Sequence, residues 1–324
     1  MTDIESIRRS KAVQRHTGLT FHLATRLLPE RVRHPTYVMY AFFRTADEVV
    51  DAADPGPPAE QRRELERMRA AALGERETDD PVLAAVADLR ARHDLDREDV
   101  DTFIDAMLMD IEKVRYDTFA ELETYLRGSS VAVGHMMLDV MDPAEAEQAR
   151  PQAAALGEAF QLTNFLRDVR EDVRDHDRIY LPEATLRTHG SSHADIEALD
   201  PTDGVRAAIR AELRRTEQRY HRGVDGIRYL PPDCRFPVLA AAVMYADQHR
   251  LIREQGCDTL SARPSLTVRR RLSLVARAWL RWQFESDPLR VFYQVTNLDP
   301  PTDVDAGTAD AVGRESIHDP SGSD

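Results

Sequence analysis

A helical repeat of apolar side chains is the feature that most restricts the fold of this chain. Between residues 82 and 114, apolar side chains recur near the 3.6-residue period of an α-helix, as at Val82, Val86 and Leu89. Good helix formers (Ala, Leu, Arg and Glu) dominate most other segments. Alternating runs of β-branched residues, which would indicate strands, do not occur in the sequence. The pattern therefore predicts an all-α protein.

Proline and glycine clusters separate the helical segments. Residues 54–58 and 189–192 are two examples, and the breakers together predict about eight to ten helices. No connecting segment is long enough to join two independent domains. We therefore expect a single helical domain over residues 1–296. Residues 297–324 are rich in Asp, Gly, Pro, Ser and Thr, which predicts a disordered acidic tail.

The charge balance excludes some functions and suggests an environment. The chain has 57 acidic and 43 basic residues, a net charge of −14, which argues against nucleic-acid binding. Only two cysteines occur, so a disulfide scaffold or a cysteine-rich zinc site is not expected. Lys11 and Lys113 are the only lysines. The acidic excess with so little lysine favours a saline cytoplasm over an ordinary acidic protein from a GC-rich genome.

The sequence shows no targeting or membrane-spanning pattern. The first residues lack the apolar core of a signal peptide. The longest apolar run, near residues 238–246, is far shorter than a membrane span. We expect a cytoplasmic protein that touches a membrane surface peripherally, if at all.

One predicted helix carries two carboxylates on a single face. Asp47 and Asp51 are one turn apart, and Arg44 and Tyr40 extend the same stripe toward the N-terminus. Apolar residues flank the stripe: Ala41, Phe42, Phe43, Val49 and Val50. A helix this apolar is not an ordinary solvated surface.

A second helix repeats the arrangement. Asn164, Asp168 and Asp172 follow at intervals of four, and Gln161 continues the stripe. Like charges one turn apart repel each other, so each pair needs a compensating cation. Only oxygen donors recur, which favours Mg2+ or Mn2+ over zinc. Two such helices facing each other would hold a diphosphate through the metal. The alternative is a pair of surface ladders in which nearby arginines neutralise the carboxylates.

With the segments around them, these stripes resemble the squalene/phytoene synthase family of head-to-head prenyl transferases. The second motif is followed by Arg-Ile-Tyr-Leu-Pro at 178–182, which makes the resemblance specific. It spans about residues 15–285 and is closer to the phytoene synthases than to the squalene synthases. The acidic composition would suit a halophilic prokaryote. The other matching segments are 20–29, 40–51, 125–134, Tyr245 and Arg263.

The resemblance implies an isoprenoid-synthase-type helical bundle with a central cavity, in which two geranylgeranyl diphosphates condense through a cyclopropyl diphosphate to phytoene. It implies Mg2+ or Mn2+ without NADPH. The implied metal ligands are Asp47, Glu48, Asp51, Asn164, Asp168 and Asp172. The implied catalytic residues are Asp47, Asp51, Asp168, Asp172 and Tyr245. The implied substrate-binding residues are Thr20, Phe21, Tyr40, Arg44, Tyr125, Gln161, Asn164, Arg167 and Arg263.

Some positions depart from the family pattern and leave alternatives open. Ser129 and Ser130 replace a common Val-Ala pair, and with Ala132 they would leave room for a longer prenyl tail.

The run 269–271 is interpreted mainly as a solvated helix end, with diphosphate steering as the alternative. Within the same family, the alternative to phytoene formation is the coupling of farnesyl diphosphate to squalene, dehydrosqualene or hydroxysqualene. A non-catalytic helical assembly factor is the alternative of another class. The sequence does not indicate the oligomeric state.

Overall fold

The structure, a computed structural model, describes residues 19–52 and 54–300. This part of the chain contains α-helices and no named strand. An isolated β-bridge joins Arg115 and Ile179. The helices are α1 (Leu19–Leu27), α2 (Glu30–Asp51), α3 (Pro58–Ala72), α4 (Pro81–His93), α5 (Arg97–Met109), α6 (Phe119–Leu126), α7 (Val133–Met141), α8 (Ala146–His176), α9 (Glu183–Thr188), α10 (His193–Glu197), α11 (Asp203–Asp225), α12 (Pro232–Glu254), α13 (Val268–Trp282) and α14 (Pro288–Thr296).

The all-α, single-domain prediction is confirmed, but the predicted number of helices was too low. Fourteen α-helices occur within the described ranges. The excess comes partly from α9 and α10, which have 6 and 5 residues and cannot show a repeat. The predicted tail comprises residues 297–324, and its residues from 301 onward lie outside the part of the chain that the structure describes.

Helix α8 is the central element, and close backbone packing fixes its position. A Cβ atom on Gly223 of α11 would lie 2.7 Å from the Cα of Leu156, and one on Gly157 would lie 2.6 Å from the Ser130 carbonyl oxygen. Glycine is therefore required at both crossings. Because α8 carries the second acidic stripe, these contacts also fix the position of that stripe.

A buried polar network ties α8 to α11 and α12. The hydroxyl of Thr163, next to the stripe residue Asn164, lies 2.9 Å from the Tyr220 hydroxyl and 3.0 Å from Nε2 of His249. The other ring nitrogen of His249 lies 2.9 Å from Glu217, which also binds an arginine of α12. Buried polar groups with partners on three helices give α8 one defined position.

A π-helical segment, Arg127–Ala132, joins α6 to α7. A Cβ atom on Gly128 would lie 2.1 Å from the Thr102 carbonyl oxygen, so the segment lies directly against α5. The Ser130 hydroxyl donates to the Leu126 carbonyl oxygen at 2.8 Å. Single π-turns of this kind are often found at functional sites.

Among residues 19–52 and 54–300, no helix combines the length and the apolar composition needed to cross a bilayer.

The acidic composition leads to a prediction about salt. If the net charge of −14 reflects adaptation to a saline cytoplasm, self-repulsion should weaken when salt is added. We expect the free energy of unfolding to increase by about 1 kcal/mol or more between dilute buffer and molar KCl, which corresponds to about 2–4 °C in Tm. Thermal unfolding with KCl, and with sucrose as an uncharged control, measures this. A Tm that KCl leaves unchanged would contradict the saline interpretation.

Candidate active site

A cavity of about 600 Å3 lies between α1, α2, α7, α8 and α12, with further walls from α5 and the π-helical segment. Residues of α8 line it from Ala149 to Arg167. At the 1.5 Å rise of an α-helix, these 18 steps correspond to a length of about 27 Å. The cavity is thus elongated and has two chemically different ends.

One end is apolar. The N-terminal part of α8 faces Gly226 of a short 3-10 turn, because a Cβ atom there would lie 2.1 Å from the side chain of Gln152. The side chains around this end carry no formal charge. They include Leu138, Met141, Ala149, Ala153, Ile227 and Leu230.

The other end is strongly basic. Arg44, Arg167, Arg263 and Arg271 all line it, and they come from α2, α8, a loop and α13. Burial, and then the nearby Arg167, lower the pKa of Arg271. Converging arginines at one end of an apolar cavity suit an anionic group attached to a long apolar tail.

The first acidic stripe lies at this basic end. Asp47 lines the cavity and accepts a hydrogen bond from Arg44. Burial raises the pKa of Asp47 to about 6, opposed by Arg44 and reinforced by Asp51. Asp51 accepts a hydrogen bond of 2.6 Å from Arg178, which belongs to the Arg-Ile-Tyr-Leu-Pro segment. The two carboxylates therefore have different arginine partners.

The second stripe is neutralised more strongly at one carboxylate than at the other. Asp168 accepts two hydrogen bonds from Arg167, at 2.6 and 2.5 Å, and two from Arg263, at 2.8 and 3.3 Å. Asp172 lies one turn further along α8. Burial, and then the charge of Asp168, raise the pKa of Asp172 to about 8. The repulsion predicted from the spacing is thus present at Asp172.

No group of three or more His, Cys, Asp or Glu side chains within the described residues is close enough to hold a metal ion. Arginines pair with Asp47, Asp51 and Asp168 instead. The predicted ligands nevertheless fit a hard cation, since each offers oxygen atoms and the pKa values of Asp47 and Asp172 are raised. Glu48 is exposed and does not line the cavity.

Two residues that the sequence analysis gave no role lie behind the stripes. Arg178 donates to Asp51 and, at 3.1 Å, to the carbonyl oxygen of Asp110. The Asp110 carboxylate accepts a hydrogen bond of 2.8 Å from the Tyr125 hydroxyl. Burial raises the pKa of Asp110 to about 7, although Arg178 acts in the opposite direction. Tyr125 is thus committed to a buried partner through its hydroxyl, while its side chain lines the cavity.

Aromatic pairs form part of the wall near the basic end. Phe21 and Tyr40 stack with their ring centroids 5.0 Å apart, and Phe160 and Tyr245 stack at 4.5 Å. Burial raises the pKa of Tyr245 to about 12. These rings offer electron-rich faces close to the arginine cluster.

All nine predicted substrate-binding residues line one cavity. They are Thr20, Phe21, Tyr40, Arg44, Tyr125, Gln161, Asn164, Arg167 and Arg263. Asp47 and Tyr245 line it as well, whereas Asp51, Asp168 and Asp172 do not. Arg271 belongs to the run 269–271, for which a solvated helix end was the main interpretation and diphosphate steering the alternative. It lines the cavity and donates to the Thr20 hydroxyl at 2.9 Å.

The predicted small residues of the π-helical region separate into two groups. Ser129 and Ser130 line the cavity, whereas Ala132 is buried in the core and does not. The Ser129 hydroxyl is buried and has no hydrogen-bond partner among the described residues.

An elongated apolar cavity with a basic end suits a substrate with a diphosphate head and a long prenyl chain, as a prenyl transferase binds. The chain belongs to the squalene/phytoene synthase family, whose sequence profile matches residues 14–270. The resemblance recognised in the sequence is therefore confirmed.

Individual relatives agree with this assignment. The 15-cis-phytoene synthase of Synechococcus elongatus is 33% identical over 297 residues, covering 86% of this chain and 93% of the relative. The phytoene synthase of Thermus thermophilus is 33% identical over 279 residues, covering 85% and 93%.

Solved structures show the same fold. A dehydrosqualene synthase bound to a ligand superimposes with a TM-score of 0.78 at 23% identity, covering 86% of this chain and 98% of the other. The squalene synthase HpnC of Alicyclobacillus acidocaldarius gives 0.70 at 28% identity, covering 79% and 95%.

Proposed function

We propose that this enzyme condenses two molecules of geranylgeranyl diphosphate to phytoene through a cyclopropyl diphosphate, as a step of carotenoid biosynthesis. In the first step, C1 of one prenyl diphosphate loses its diphosphate, bonds across the C2–C3 double bond of the other, and loses a proton as the cyclopropane closes. The second opens the cyclopropane and releases the other diphosphate and a proton. Neither step consumes a reductant. The observation that carries the proposal is the elongated apolar cavity that ends in four arginines.

We infer that Mg2+ or Mn2+ is bound between the two acidic helices. Asp47, Asp51, Asn164, Asp168 and Asp172 are the proposed ligands. The exposed Glu48 would take part only if its side chain turned toward the cavity. When bound, the metal neutralises diphosphate charge and assists its departure.

The residues of the chain supply the rest of the chemistry. Arg44, Arg263 and Arg271 stabilise the diphosphate as charge develops on it. The apolar walls exclude water, which would otherwise capture the allylic cation. The rings of Phe21, which stacks on Tyr40, and of Tyr245, which stacks on Phe160, are the proposed stabilisers of that cation. The departing diphosphate accepts the proton, so no protein base is needed.

Coupling of farnesyl diphosphate is the second candidate, because the structural neighbours include squalene and dehydrosqualene synthases. The relatives named phytoene synthase favour the longer substrate. A non-catalytic assembly factor would have no need of a buried carboxylate such as Asp172 beside a like charge.

The test is an assay of the purified chain with C15 and with C20 diphosphates, each with Mg2+ or Mn2+ and with or without NADPH. We expect phytoene from the C20 substrate, without any effect of NADPH. Efficient squalene formation that depends on NADPH would overturn the proposal for phytoene. Absence of diphosphate release with every substrate and metal would support the assembly factor.

The cavity gives a specific prediction about chain length. Ser129 lies on the wall near the middle of the cavity, since the adjoining Ser130 packs on Gly157 of α8. The variant Ser129→Phe should fill this space and lower kcat/KM for the C20 substrate about tenfold or more relative to the C15 substrate. Ser129→Ala, which removes the hydroxyl without filling the space, is the control. An unchanged C20/C15 ratio in Ser129→Phe would show that this wall does not limit the tail.

We also propose a cytoplasmic enzyme in peripheral contact with a membrane, because both the substrate tails and the product are apolar.

A further inference from the structure

One face of α13 exposes apolar side chains to solvent. Val268, Leu272, Ala276, Leu280 and Phe284 follow one another at intervals of four, the last of them just beyond the end of the helix, so they form a continuous stripe. All five are exposed, and the exposed fraction of Phe284 is 88%. Trp279 adjoins this stripe and is 54% exposed.

The stripe is unusual for this protein. Every large apolar side chain that is strongly exposed within the described residues lies on the stripe or adjoins it: Val268, Leu272, Trp279, Leu280 and Phe284. Large apolar groups concentrated on one helix face indicate a binding surface, whereas isolated ones do not.

Arginines accompany the stripe. Arg269, Arg277 and Arg281 lie on α13, and residues 268–284 contain no acidic residue. No ion pair between described residues involves these three arginines. A local positive charge in a chain of net charge −14 does not follow from its composition. The charge therefore favours an anionic partner.

The opposite face of α13 is anchored to the bundle. Leu274 and Ala278 are fully buried, and Arg270 donates to the buried Asp247 at 2.6 and 3.0 Å. Arg271, on the same helix, lines the basic end of the cavity. The exposed stripe is thus held in a fixed orientation beside the end of the cavity where the diphosphate is proposed to bind.

The charges distinguish between the partners that could cover this stripe. A second copy seated on the same stripe would bring its own Arg269, Arg277 and Arg281 close to these arginines, and residues 268–284 contain no acidic side chain to offset the repulsion. A membrane with anionic lipids instead offers headgroups to arginine, an apolar layer to leucine and phenylalanine, and an interface that tryptophan prefers.

We propose that α13 is a membrane-binding helix that lies in the interfacial layer of a bilayer containing anionic lipids, with the stripe in the lipid. This deepens the proposed function, since it places the cavity where prenyl diphosphates enter and an apolar product leaves. The position of α13 beside the cavity is the same whichever prenyl diphosphate is the substrate.

The tryptophans allow a direct test, because the chain has only two, Trp279 and Trp282. The variant Trp282→Phe leaves Trp279 as the sole tryptophan reporter on the stripe. With vesicles of phosphatidylcholine and phosphatidylglycerol, its emission should shift to the blue, and brominated lipids should quench it. In the absence of vesicles, acrylamide should quench it readily. A Trp279 protected from acrylamide without vesicles would show that protein covers the stripe, which overturns the proposal.

A triple variant tests the apolar contact. Leu272→Gln, Leu280→Gln and Phe284→Gln together change exposed positions only, with a residue that forms helices well. Vesicle partitioning in flotation should fall by about tenfold or more, since each lost side chain is worth about that factor when fully buried. Partitioning equal to the parent chain would overturn the proposal.

A matched pair of variants tests the charge. Arg269→Gln with Arg281→Gln should weaken binding to anionic vesicles and leave binding to pure phosphatidylcholine unchanged. Arg63→Gln with Arg92→Gln, exposed positions on α3 and α4, makes the same change in net charge elsewhere and should have no effect. Equal weakening by both pairs would overturn the role of the helix.

Turnover measured in detergent micelles separates this proposal from the proposed function. The triple variant should keep the activity of the parent chain in micelles and lose it with vesicle-borne substrate. A parent chain that is active in micelles but does not bind vesicles overturns only the membrane helix. Self-association of the parent chain that the triple variant abolishes, without vesicle binding, would assign the stripe to a second copy and also overturn it.

Discussion

Replacing Asp172 by asparagine is expected to abolish prenyl coupling while making the metal-free protein more stable. Asp172 is the stripe carboxylate whose pKa rises furthest, to about 8, first through burial and then through Asp168. Asparagine keeps the shape but offers a metal no charge. The side chain that the proposed reaction needs is thus one that weakens the fold when no cation is bound.

The pH dependence follows from the direction of this shift. A carboxyl whose pKa is higher in the folded state binds its proton more tightly there, so its favourable contribution is complete below about pH 4 and is lost as the pH rises through about 8. Asp172→Asn removes this loss. The variant should therefore exceed the parent chain in unfolding free energy by about 2–5 kcal/mol at pH 8 and by little at pH 4.

Urea unfolding in EDTA at the two pH values measures the difference, and diphosphate release with Mg2+ measures turnover. Asp175→Asn is the matched control, because Asp175 lies on the same helix and is exposed. It should change neither quantity. An active Asp172→Asn variant would show that Asp172 is not needed for turnover. A variant less stable than the parent chain at pH 8 would contradict the conclusion that burial of the Asp172 carboxylate destabilises the fold.

The acidic stripes could be predicted because helical spacing alone places residues four apart on one face. The same local rule brought Arg44 beside Asp47. Prediction from the sequence also located most of the cavity wall, but there it relied on the family pattern. Physical spacing cannot show that Thr20 and Arg263, 243 positions apart, line the same cavity.

The residues that were missed depend on long-range packing. Arg178 reaches Asp51 across 127 positions, and only the folding of the segment after α8 brings them together. The run 269–271 divides by orientation: Arg269 is exposed, Arg270 binds a buried aspartate and Arg271 enters the cavity. A run of identical residues carries no local signal for this division, since the packing of α13 on the bundle decides it.

Arg178 provides the second large expected effect, opposite in sign for stability to that of Asp172. Its guanidinium is almost fully buried and is held by Asp51 and the Asp110 carbonyl oxygen. Burial lowers its pKa, but the charges of Asp110 and Asp51 outweigh this and raise it well above the usual value. Arg178 is therefore the fixed cation beside Asp51 and Asp110 when no metal is bound.

Arg178→Gln should destabilise the fold by about 3–5 kcal/mol, because it leaves the buried Asp110 and the partly exposed Asp51 without their cation. Turnover should also fall by about 10–100-fold, since Asp51 loses the partner that positions it for the metal. Arg178→Lys restores the charge without the planar fork, so it should recover most of the stability and little of the Mg2+ affinity.

Urea unfolding and the Mg2+ concentration for half-maximal turnover separate these effects. The matched control is Arg187→Gln, a nearby arginine whose side chain is 74% exposed and paired with Glu183, which should change neither quantity measurably. The double variant Arg178→Gln with Asp110→Asn should regain stability over Arg178→Gln alone, because one of the two unpaired carboxyls is gone. If Arg178→Gln kept the stability and Mg2+ dependence of the parent chain, Arg178 would not position Asp51. The position of the Asp51 side chain would then be set by helix α2 alone.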